Sequence, residues 1–261
     1  MTTVARTARL SARVGFEETK AAYSWRTWLF GWMVRVAAQI LFFTAIGLLI
    51  ESDDLVAFAF IGNICAMTAI SALAAGPDTA WERSLGTLPL LVAAPGSMLP
   101  VFAGRCAFHV VQGVGEGLFV FAVLAPFIAV PAQWWWMPAA LLVIALGAYG
   151  LGIALAAFSI RRPRMGNLVF NFVFFLVVAI GGVNVATDVF PGWVQVIAGF
   201  LPLHHGLLGA RLLIENGWSG EVISQFAGEL VIGAAWLTLG MVGFKVFVER
   251  CRRDGTIDLE E

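Results

Sequence analysis

The sequence predicts an all-α integral membrane protein with six transmembrane helices. Hydrophobic residues make up 60% of the chain and charged residues 13%, against about 45–50% and about 25% in a soluble domain. Six runs approach the ~20 apolar residues that a helix needs to cross the hydrocarbon core. Nearly all lysines and arginines outside those runs fall on one side of the membrane if the spans alternate.

The runs are Gly31–Ile50, Leu55–Ala75, Gly104–Pro126, Pro138–Ser159, Leu168–Val185 and Phe226–Val248. The leader, residues 1–30, carries Arg6, Arg9, Arg13, Lys20 and Arg26. The connection after span 2 carries Arg83, with Arg105 at the start of span 3; the connection after span 4 reads RRPR, Arg161–Arg164. The tail, 249–261, follows Lys245 and contains Arg250, Arg252 and Arg253. The opposite connections are acidic or neutral, and among the cations only Arg211 falls there. Both termini are therefore expected in the cytoplasm, with the chain as a multi-pass protein of the cell membrane. The whole chain, 1–261, reads as one transmembrane domain without internal repeats. Its first apolar run lies behind a polar leader, unlike a cleaved signal peptide.

In the leader, Trp25, Trp28 and Trp32 recur at i, i+3 and i+7, which places them on one helical face. An N-terminal interfacial helix leading into span 1 has this pattern, as does an ordinary aromatic belt. The segment ERSLGTLPLLVAAP, Glu82–Pro95, interrupts the apolar sequence between spans 2 and 3. Its mixture of charge and oil fits a helix lying on the cytoplasmic face, or a plain solvated loop.

WERSLGTLPLLVAAP resembles the cytoplasmic element of type-2 ATP-binding-cassette permeases: a Glu-Arg, a Gly-Thr, then apolar residues ending in proline. FPGWVQVIAGFLPLHHGLLGAR, Phe190–Arg211, is similar to the same family's outer segment, with its proline, tryptophan and glutamine, a Leu-Pro-Leu and a downstream arginine. The resemblance implies a cytoplasmic coupling helix between spans 2 and 3, with Glu82, Arg83, Gly86 and Thr87 at the docking element for a separate nucleotide-binding ATPase subunit. It implies a second permease subunit, identical or similar, and a translocation path between the two lined by spans 1, 2 and 5. Gln39, Asn63 and Asn171 are then substrate-path candidates. ATP and magnesium would be bound by the partner, leaving no cofactor in this chain. No phosphate loop of the form G-x-x-x-x-G-K-[ST] is present, so the chain is not expected to be an enzyme.

The segment from Val189 to Trp218 is too short and proline-broken to cross twice, yet apolar enough to enter the membrane. Non-helical backbone at that depth must be buried in protein or line a cavity. A re-entrant outer hairpin between spans 5 and 6, broken near Pro202, meets that requirement. Pro191, Trp193, Pro202, His204 and Arg211 are its outer-gate candidates. His204 and His205 could suggest a metal or proton site, but helical neighbours point about 100° apart, and no metal site is expected.

Span 3 carries Arg105, His109, Gln112 and Glu116, whose spacing of 4, 3 and 4 puts them on one face. An ionised acid at mid-membrane costs about 2.5–3.5 kcal/mol, so Glu116 needs a partner. The stripe either couples to substrate or protons, or forms an interhelical network with Gly113 and Gly117 admitting a neighbour. The glycines of GAYGLG, Gly147–Gly152, are expected to serve close helix packing.

Together with these features, the resemblance implies the membrane subunit of an ATP-driven exporter, working as a homodimer or beside a similar permease. Its cargo is expected to be hydrophobic or amphipathic: a drug or antibiotic, as in efflux and antibiotic resistance, or a lipid-linked molecule. Membrane lipids surround it, and no nucleic-acid partner is expected. The alternatives are a proton-coupled secondary transporter using Glu116 and a membrane-embedded enzyme, for which His109 with Glu116 is the one candidate pair.

Overall fold

The computed structural model describes residues 3–22, 24–76, 99–128 and 131–254, and every regular element among them is a helix. Helix α1 (Thr3–Ala22) is followed by a π-helical stretch, Thr27–Met33, that runs into α2 (Val34–Leu49). After a tight turn, α3 (Asp53–Leu73) starts at a capped end. The Ser52 hydroxyl accepts from the Leu55 N–H, and Asp53 and Asp54 put negative charge at the positive end of the helix. Next come α4 (Leu99–Cys106) and α5 (Phe108–Leu124), which together act as one apolar span, Pro100–Phe127. Helix α6 (Met137–Ser159) and α7 (Pro163–Ile180) each carry proline in the first turn, where no backbone hydrogen bond is lost. Two short helices, α8 (Gly192–Gly199) and α9 (His204–Asn216), precede the long α10 (Gly220–Asp254).

Five helices are long and apolar enough to cross a membrane, α7 is a shorter apolar helix, and α8 and α9 form a pair bent by 88°. Helices α3 and α6 are the most enclosed; α2 and α10 lie at the periphery. The outward faces of α2, α7 and α10 are oily, with Phe42, Leu49, Phe172, Phe175, Val231 and Leu239 all exposed. A water-soluble monomer does not leave this much apolar surface uncovered; hydrocarbon accepts it without penalty.

The main core joins α2, α3, α5, α6, α7 and α9 around Phe60, Ile64, Leu141, Ile144 and Leu207. A smaller core at one end joins α4, α6 and α10, where Phe102 stacks on Phe244 at 5.0 Å and the Tyr149 hydroxyl donates to the Ala103 carbonyl (2.7 Å). Arg161 donates to the Gly243 carbonyl (2.9 Å) at that end, here termed the arginine end. At the opposite, tryptophan end, Trp136 packs on Trp218 at 5.5 Å, and Trp218 on Phe226 at 6.0 Å. Amphipathic rings of this kind favour a membrane interface.

Helix α6 meets α10 through glycine. A Cβ on Gly150 would run into the Gly233 carbonyl, and one on Gly240 would lie 2.7 Å from the Ala154 nitrogen. Bare backbones can therefore touch, which is how helices gain dispersion energy where lipid offers no hydrophobic drive.

Several boundaries differ from the expectation. The fifth run was expected at Leu168–Val185, but α7 spans Pro163–Ile180. Pro163 presets the first turn, and Gly182 at φ +92° ends the rod in a conformation a side chain resists. The sixth run extends through both ends. At 35 residues α10 is about 52 Å long, well beyond a hydrocarbon core of about 30 Å. The leader is helical over Thr3–Ala22, before the three tryptophans, and α1 packs along α4. The tryptophans do not share one environment. Trp25 is exposed, whereas the π-helical turn leads Trp28 inward against Phe119, with ring centroids 6.0 Å apart.

Candidate functional site

The described residues contain two polar centres, one at each side of α3. The first surrounds Glu116. Its side chain is buried on α5, and three elements supply donors. Ser71 of α3 donates to Oε2 (2.5 Å), Gln112 of α5 to Oε1 (2.8 Å), and Trp28 of the π-helical stretch to Oε1 (3.3 Å). Donor bonds of this kind lower the cost of holding a carboxyl group away from water. The packing that permits it is glycine-made. A Cβ at Gly113 would strike the Thr68 carbonyl at 2.6 Å, and one at Gly117 would overlap the Thr68 hydroxyl. Of the rest of the stripe, His109 is buried beside Phe108, with ring centroids 6.3 Å apart. Arg105 is half-buried in α4 where α1 crosses it, since a Cβ on Gly15 would meet the Arg105 carbonyl at 2.6 Å.

The second centre is the corner between α8 and α9, set in from the tryptophan end against Glu229 of α10 and the middle of α6 at Gly147. Pro191 caps α8 and is exposed, as is Trp193, while Pro202 is buried inside the break. Arg211 on α9 ties three segments together. Its Nη1 donates to the Gly182 carbonyl (2.9 Å), and its Nη2 to the carbonyls of Val183 (3.1 Å) and Phe58 (3.2 Å). The guanidinium also sits 3.4 Å from the centroid of the Phe58 ring. A planar fork can serve several acceptors and a ring at once; an ammonium cannot.

The two histidines diverge. His204 pairs with the Thr187 hydroxyl (3.3 Å) and His205 with the Gln225 side chain (2.8 Å). Among the described residues no cluster of histidine, cysteine or acid has a geometry suited to a metal.

Asn63 on α3 donates to Asn184 beyond α7 (2.7 Å) and to its own helix at Ala59 (2.8 Å), which joins α3 to the segment that follows α7. Asn171 is exposed on α7, where it bonds back to Asn167, and Gln39 is half-buried in α2. Glu82, Arg83, Gly86 and Thr87 lie outside the described residues.

The sequence-derived candidates lack Glu229, although it lies within the sixth expected run, Phe226–Val248. Glu229 on α10 is fully buried. It accepts from the Leu203 N–H through Oε1 (2.7 Å) and from the Gly206 N–H through Oε2 (2.9 Å). Leu203 is the N-cap residue of α9 and has no side-chain oxygen to satisfy that helix end. The cap is supplied from another helix instead. A signal was present: Gln225, Glu229, Gly233 and Trp236 follow at 4, 4 and 3 along one face of the last span.

Both centres can hold helices in one mutual arrangement. No curated protein matches the sequence. Residues 21–214 match the ABC-2 type transporter family. That segment runs from the leader into the end of α9 and takes in both polar centres apart from α10. The chain is therefore a permease component, not itself catalytic, of a transporter whose family implies a partner ATPase, and it belongs to the ABC-2 type transporter family.

Proposed function

We propose that this chain is the membrane subunit of an ATP-binding-cassette exporter that moves a hydrophobic or amphipathic compound by alternating access. The cargo class is a drug, an antibiotic or a lipid-linked molecule. Family membership over residues 21–214 carries the reading. A second permease subunit, identical or similar, pairs with it, and ATP and magnesium are bound by the separate ATPase. The chain sits in the cell membrane with both termini in the cytoplasm, so the arginine end faces the cytoplasm and the tryptophan end faces out.

The geometry supports a division of labour within the chain. Motion of the ATPase enters through the segment holding Glu82, Arg83, Gly86 and Thr87 and through α1. Because α1 lies against α4, and Trp28 is bonded to Glu116, displacement of the leader loads span 3 and, through Ser71, span 2. At the other side, the α8–α9 pair is the outer gate and re-enters the membrane. Glu229 stands nine residues from the start of α10 at Gly220, about 14 Å along the helix, and it holds the corner at that depth. The mostly apolar spans suit an oily cargo better than an ion or a charged polymer.

Purification of the full chain from its own membranes should recover a nucleotide-binding subunit in fixed ratio. In liposomes that complex should move a lipophilic fluorescent dye only when ATP is supplied. Recovery of the chain without any ATPase, or dye movement driven by a proton gradient alone, defeats the reading.

A further inference from the structure

We propose that Glu229 is the latch of the outer corner: a positioning carboxylate on the last span that holds the α8–α9 break closed and must let go for the outer end to open. The inference rests on the permease reading above and adds the residue that sets the gate.

The corner is awkward as backbone. Leu203 sits at φ 89°, a conformation that costs a leucine energy and persists only where surroundings impose it. The break leaves the first N–H groups of α9 without helical partners, deep in an apolar bundle. Helix α10 supplies what the corner lacks. Trp236 donates to the Phe200 carbonyl (2.9 Å), Glu229 accepts from Leu203 and Gly206, and Gln225 meets His205. These contacts follow one face of one helix from residue 225 to 236, so α10 grips the corner as a row. Glu229 is its centre, with both carboxyl oxygens accepting from the N–H groups at the positive end of α9.

The room for it is reserved. A Cβ on Gly147 would overlap the Glu229 carboxylate, and one on Gly206 would lie 3.1 Å from its carboxyl carbon. Two glycines on two other helices thus leave space for one acid. Arg211 fastens α9 to α3 and to the segment after α7, and its hydrogen bonds run to Gly182, Val183 and Phe58, nearer the far end of α9, rather than to the corner. Shifting α10 against α6 and α9 would therefore free the corner while Arg211 keeps the rest of α9 in place.

Two variants test this in the full chain in lipid nanodiscs. Glu229→Gln replaces one acceptor oxygen with a donor that faces an N–H. Gly147→Ala retains the acid but pushes it from the corner, so the test survives if either variant fails to fold. Amide hydrogen exchange over residues 200–207 should accelerate by about ten-fold in both, with Ala154 and Gly240, farther along the α6–α10 contact, unchanged. On the same backgrounds, Thr187→Cys should react faster with a membrane-impermeant maleimide. An unchanged corner, or acceleration spread evenly over the bundle, overturns the proposal. Neither readout needs an ATPase, so a failure of the latch stays separate from a failure to recover the partner subunit.

Discussion

Glu116 takes its donors from side chains on three elements, whereas Glu229 takes its donors from backbone at a helix start. The difference sets what each variant should do. Glu116→Leu leaves the Ser71 hydroxyl, the Gln112 amide and the Trp28 indole without their acceptor, at about 1–3 kcal/mol for each one that stays buried. Thermal unfolding of the purified protein should show a clear fall, and Ser71→Ala, which strands one acceptor oxygen, a smaller one. A Glu116→Leu variant as stable as the wild type would mean the network holds nothing. Arg211→Lys should also destabilise, because a lysine cannot serve the carbonyls of Gly182, Val183 and Phe58 and lie over the Phe58 ring together. A loss of about 1.5–3 kcal/mol matches one charged hydrogen bond, read as the free energy of unfolding in detergent. At this scale Glu116 was legible in advance, since an acid in an oily run announces a need for partners. Glu229 obeys the same rule, but it lies close to the start of the last run, among residues that also read as a helix entering the interface.

At the scale of the element, the decisive feature is how closely two helices may approach. Gly150 and Gly233 bring α6 and α10 together, while Gly115 faces open space on α5. Gly150→Ala should cost about 1–3 kcal/mol through overpacking. Gly115→Ala should be neutral or gain up to about 1 kcal/mol from helix propensity. Equal melting temperatures for the two variants would contradict the packing described here. The spans themselves were visible in hydropathy, and the glycine pattern of GAYGLG correctly suggested close contact. The partner helix was not visible, because small residues mark a face without naming what lies against it. The π-helical stretch Thr27–Met33 was hidden for a related reason. Its wider turn redirects Trp28 towards Glu116, and no local propensity distinguishes it from the α-helix on which the three tryptophans would share a face.

For the whole molecule the testable statement is sidedness. Arg162 and Asp188 are exposed at opposite ends of α7, and Cys65, Cys106 and Cys251 are buried, which keeps background labelling low. In intact cells a membrane-impermeant maleimide should label Asp188→Cys, and should label Arg162→Cys only after permeabilisation. The reverse pattern would invert the topology and with it the assignment of the outer corner.

The sequence by itself determined the class of molecule and the order of its apolar runs. Those depend on transfer of whole segments from water to hydrocarbon, an additive property that composition reports. Its motifs resembled the family that residues 21–214 match. Only the tertiary structure decided which groups meet: Trp28 with Glu116, Asn63 with Asn184, Arg211 with Phe58, and Glu229 with the start of α9. Each such pair joins different elements. A short-range directional bond between them depends on helix rotation and separation, which glycine contacts set to within a few tenths of an ångström and hydropathy does not record.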